Sequence, residues 1–87
     1  MLLEKVEKIV GERLKTVQFD DVNDTILQIE TMKGQILQIA TQNLLRFKVT
    51  KSAIGGTVTA AYYSITGNTR SLKLATGLGY IEIAWRN

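Results

Sequence analysis

Arg70, Lys73 and Arg86 share the last third of the chain with Tyr62 and Tyr80. Lysine and arginine neutralise phosphates and tyrosine rings offer faces on which bases stack, so this set points to single-stranded nucleic acid as a ligand class. The basic bias is regional. Residues 1–43 hold five Lys or Arg against seven Asp or Glu, a net of −2, whereas residues 44–87 hold six against Glu82 alone, a net of +5. The competing explanation is a solvated sheet face whose charges serve solubility.

Other chemistries are limited by inventory. The 87 residues include no His and no Cys, which removes imidazole bases, Ser-His-Asp triads, thiolate nucleophiles, disulfides and the usual zinc ligand sets. Asp20, Asp21, Asn23 and Asp24 offer oxygens of the kind hard cations take. A calcium loop would also need a central glycine and a distal glutamate at fixed spacing, so this cluster reads as a helix cap or polar turn. Asp20, Asp21, Asp24, Glu30 and Glu82 are candidates for acid–base work, and Ser52, Ser64 and Ser71 have no base beside them in sequence. The expectation is a protein with no catalytic residues, no metal site, no cofactor and no small-molecule substrate.

Ser64-Ile65-Thr66-Gly67-Asn68-Thr69, following the apolar Val58 to Tyr63, resembles the phosphate loop of the flavodoxin family. That resemblance implies a strand ending in a turn whose hydroxyls and N–H groups hold a flavin phosphate. A doubly wound sheet needs several βα units after such a loop, and only 18 residues follow Thr69. A hairpin turn explains the residues on both sides of it.

The elements that position these residues are read from periodicity. Eighty-seven residues allow one domain, spanning 1–87, with a thin core that leaves subunit contacts important to stability. Acidic residues stand near the start, in Met1 to Glu7, where a signal peptide would be basic, so no export signal is read and an intracellular location is expected. No run approaches the roughly 18 apolar residues of a membrane span, and no membrane partner is expected.

Leu3, Val6, Val10 and Leu14 recur at helical spacing and predict an amphipathic helix over residues 2–14, with Thr16 to Phe19 alternating as a short strand or connector. Residues 21–47 admit two patterns. As a helix they gather Val22, Ile26, Ile29, Met32, Ile36, Leu37, Ile39, Ala40, Leu44 and Phe47 on one stripe. As strands, Leu27-Gln28-Ile29 pairs with Leu37-Gln38-Ile39 across Met32-Lys33-Gly34, and Leu45, Phe47 and Val49 alternate with Arg46 and Lys48. The persistence of the stripe favours the helix, with Gly34 against it.

The C-terminal third predicts an antiparallel meander over about 57–86, with two-residue loops at Gly67-Asn68 and Gly77-Leu78. These loops pair residues whose numbers sum to 135 and then 155. Ala61, Tyr63, Ile65, Leu72, Leu74, Ile81, Ile83 and Trp85 then share one face, with Tyr62, Ser64, Ser71, Lys73, Tyr80, Glu82 and Arg86 on the other.

The expected fold is α+β: an N-terminal helix, a long central helix (alternatively a β-hairpin plus strand, giving a mostly-β fold) and a C-terminal β-meander, with the helical part at about 1–47. A helix over 21–47 would be about 40 Å long and overhang a small domain. Val22, Ile29 and Ile36 occupy one heptad position and Met32 and Ile39 the other, an apolar seam suited to a homo-oligomer interface. The expected function is a non-enzymatic, self-associating structural or assembly module with a protein assembly partner. The alternative is a nucleic-acid-binding protein using Tyr62, Arg70, Lys73, Tyr80 and Arg86.

Overall fold

The computed structural model describes residues 6–19, 26–40 and 44–86. Seven strands form two antiparallel sheets: β1 (Leu14–Phe19), β2 (Ile26–Thr31) and β3 (Ile36–Ala40) in one, and β4 (Leu44–Val49), β5 (Val58–Thr66), β6 (Thr69–Thr76) and β7 (Tyr80–Arg86) in the other, ordered β4-β7-β6-β5. A 3₁₀ turn at Lys51–Ala53 leads from β4 toward β5.

The long central helix expected over 21–47 does not exist, and the α+β class gives way to a nearly all-β chain. The described part of that segment is β2, β3 and β4, with Leu27 opposite Ile39 and Ile29 opposite Leu37. The physical reasons are local and global. Ile26, Ile29, Thr31, Ile36 and Ile39 are β-branched, which suits a pleated surface better than a helix. Gly34 sits at φ 87°, a conformation that ends any helix. One helix buries a single stripe, whereas the hairpin places Leu27, Ile29, Leu37 and Ile39 together in the core.

The N-terminal helix over 2–14 is also corrected. Among the described residues helix covers only 6–8, the chain turns through 9–11, and Leu14 already belongs to β1. Val6 and Ile9 remain buried, so this helical turn packs against the core although residues 9–14 of the expected helix are not helical.

One corner joins the sheets. Gly11 and Leu14 donate N–H bonds to the carbonyls of Val58 and Gly56, while Val58 and Gly55 donate to Glu12 and Leu14. Arg13 bridges Thr57 there, and its guanidinium donates to the Gly55 carbonyl at 3.2 Å. Both sheets contribute to one core: Leu14, Leu27, Ile29, Leu37 and Ile39 from the first, and Val58, Leu72, Leu74, Ile81, Ile83 and Trp85 from the second. Thr31, fully buried, accepts the Gln35 N–H on its hydroxyl and donates its own N–H to the Gln35 carbonyl, closing the β2–β3 turn.

The meander has the expected register, Tyr63 with Leu72 and Leu72 with Ile83. Ser64–Thr69 is the β5–β6 hairpin and not the mouth of a doubly wound sheet. Thr76 secures the next turn, its hydroxyl accepting the N–H groups of Leu78 and Gly79, and Ser52 donates to the Leu78 carbonyl. Gly79 is required by proximity, since a Cβ there would lie 2.8 Å from that of Thr50.

Candidate nucleic-acid interface

Alternation in β4–β7 sends one set of side chains outward, and the register stacks that set into rows across four strands. Tyr62, Lys73, Glu82 and Lys48 form one row. Ser64, Ser71, Ala84 and Arg46 form the next, and Arg86 stands opposite Thr69 beyond it. The floor of the second row is low because serine and alanine are small. An open basin of about 620 Å³ results, bordered by Tyr62, Lys73, Glu82 and Arg46, with the Ser64 and Ser71 hydroxyls bonded to each other at 2.6 Å.

Tyr62 is 60% exposed, unusually open for so large a ring. Lys73 Nζ lies 5.1 Å from the centre of the Tyr80 ring, a cation–π contact that joins two neighbouring rows. Arg46, Lys48, Lys73 and Arg86 outnumber Glu82, so the face is net positive. Arg46 Nη1 donates to Glu82 Oε1 at 2.8 Å, and this hydrogen bond holds the Glu82 carboxyl below the usual range. The charges of Arg46, Lys73 and Lys48 add to the shift, while partial desolvation opposes it. Glu82 thus stays ionised and orients Arg46 along the edge of the basin.

Of the residues predicted for nucleic acid, Tyr62, Lys73, Tyr80 and Arg86 come together on this face. Arg70 does not. It pairs with Ile65 and Trp85, on the face turned toward the core, and its Nη1 donates to Tyr63 Oη at 3.0 Å. Arg46 and Lys48 were missed. Their alternation with Leu45, Phe47 and Val49 marks a strand, but that β4 would pair with β7 and join this face is a long-range pairing that local pattern does not specify.

The predicted oligomer seam is dispersed. Ile29 and Ile39 are core residues at 0% and 2% exposure, Met32 lies in the β2–β3 turn and Ile36 on β3, both exposed, and Val22 lies outside the described residues. The Asp20 to Asp24 cluster lies outside them as well. Among the described residues no group of three or more His, Cys, Asp or Glu could hold a metal ion, and no helix is long and apolar enough to cross a membrane. No protein-family model, no curated protein and no solved structure matches this chain.

Proposed function

We propose that the chain is a non-enzymatic binding module whose outer β4–β7 face takes single-stranded nucleic acid. The observation that carries this reading is the basin itself, an open concavity with a small-residue floor, an exposed tyrosine on its rim and cations around it. Tyr62 supplies a stacking face, Lys73 and Arg86 supply charge for the phosphates, and the serine floor leaves room for a base or sugar to approach the sheet. Glu82 pairs with Arg46 and so takes that cation partly out of play. The two serine hydroxyls of the basin bond each other and not a carboxylate or an amine, an arrangement that suits binding rather than turnover.

Fluorescence anisotropy with labelled single-stranded and duplex DNA and RNA tests this reading. Single strands should bind more tightly, with log affinity falling against log salt by roughly 0.7 per phosphate contact. Lys73→Glu with Arg86→Glu should flatten that slope. Tyr62→Ala should weaken binding by about 1–3 kcal/mol with the slope unchanged, because stacking is not ionic. Absence of binding at tens of micromolar protein in 50 mM salt, against every probe, overturns the proposal.

A further inference from the structure

The edge of the other sheet carries a second interaction surface, independent of the basic face. β3 pairs with β2 on one side, and among the described residues no strand pairs with its other side. The Thr31 N–H bond to the Gln35 carbonyl sets the parity of that hairpin. Ile29 with Leu37 and Leu27 with Ile39 are then the hydrogen-bonded pairs. The backbone N–H and C=O groups of Ile36, Gln38 and Ala40 consequently point away from β2, along the free edge.

That edge lacks the protection such edges usually carry. Of the two edges of the larger sheet, β4 bears Arg46 and Lys48 and β5 carries a bulge between Val58 and Ala60, whereas Ile36-Leu37-Gln38-Ile39-Ala40 has no charge, no proline and no bulge. Ile36 is 49% exposed on it. A neutral edge meets its own copy without like-charge repulsion. Antiparallel pairing of two β3 strands about Gln38 sets Gln38 opposite Gln38 and Ile36 opposite Ala40. This register engages the outward groups of all three residues.

The side chains favour the same occupant. Gln18, Gln28 and Gln38 are successive partners across β1, β2 and β3, a row of three amides on one face of the sheet. Each amide both donates and accepts, so the row is complementary to its own two-fold image. We infer that a second copy of this chain docks on β3, giving a six-stranded sheet crossed by a continuous row of six glutamines. A 180 Å³ notch lined by Lys8, Ile9, Gln35, Ile36 and Leu37 flanks the edge and leaves space for the incoming strand's side chains. The two basic faces lie on the β4–β7 sheets, away from this contact.

Light scattering behind size exclusion, without nucleic acid, should give twice the 9.7 kDa chain mass at high micromolar protein. Gln38→Lys and Gln38→Glu each place like charges together on the two-fold axis. Each alone should raise the dimer dissociation constant at least tenfold with the circular dichroism of the folded chain retained. An equimolar mixture of the two should recover a mass of two chains, a rescue that a mere folding defect does not produce. A wild-type monomer at that concentration overturns the inference, as does a dimer indifferent to both charges or a mixture that stays monomeric. Nucleic-acid binding enters none of these readouts, so the two proposals fail separately.

Discussion

Tyr63 and Arg70 meet diagonally across the β5–β6 hairpin, the guanidinium donating to the phenol at 3.0 Å on the face turned toward the core. Arg70 stands opposite Trp85, whose indole is 4% exposed and lies 6.4 Å from the Tyr63 ring. A cation here orders the end of the core and belongs to stability, although its neighbours in sequence belong to the basic face.

The first prediction separates these roles. Arg70→Ala should lower the stability of the chain by about 1–3 kcal/mol, since it removes a hydrogen bond from a charged donor together with packing. The salt dependence of nucleic-acid binding should stay as in wild type. Urea titration followed by Trp85 fluorescence, with anisotropy at several salt concentrations, reads both quantities. A flattened salt slope with unchanged urea midpoint would place Arg70 on the binding face.

Ile29 and Ile36 provide a second test, because a helical seam makes them equivalent and the sheet makes them opposite. Ile29→Ala should cost about 2–5 kcal/mol as a core truncation. Ile36→Ala should cost within about 0.5 kcal/mol when measured well below micromolar protein, where any dimer is dissociated. Equal costs at the two positions would contradict the hairpin register.

Trp85 and Lys73 lie on opposite faces of the meander. Trp85→Ala should destabilise by about 3–5 kcal/mol, whereas Lys73→Ala should cost well under 1 kcal/mol, being an exposed residue beside Glu82 and Tyr80. Denaturant midpoints of the two variants decide, and comparable shifts would mean that the faces are exchanged.

Glu82 predicts a pH dependence. Its folded pKa is depressed chiefly by the Arg46 hydrogen bond, so its contribution to stability is complete above the unfolded value of about 4.3 and is lost as pH falls through the folded value. Arg46→Met should move the Glu82 carboxyl midpoint upward, toward the ordinary carboxylate range, in a side-chain NMR titration. A midpoint that stays put would show that the Arg46 contact does not form in solution.

Where the sequence was legible, the physics was local. The two tight turns at Gly67-Asn68 and Gly77-Leu78 set the register of β5, β6 and β7, and a period of two then sorted Leu72, Ile83 and Trp85 from Tyr62, Lys73 and Glu82 without reference to the rest of the chain. That sorting was sufficient to bring Tyr62, Lys73, Tyr80 and Arg86 to one face. Even there Arg70 was misassigned by its charge, although its number pairs it with Trp85 on the inward side.

What only the tertiary structure decided was long-range. Residues 21–47 carry an apolar pattern that fits both a 3.6-residue and a two-residue period, and local propensity left the two nearly balanced. The apolar face of the meander is covered by a second sheet, to whose core side Leu27, Ile29, Leu37 and Ile39 all contribute, whereas a helix would leave Leu27 off the shared stripe. The pairing of β4 with β7, which carries Arg46 to Glu82, and the corner that ties residues 11–14 to 55–58 join segments more than thirty residues apart. Such pairings are chosen by the closure of a common core, and no window of neighbouring residues contains that information.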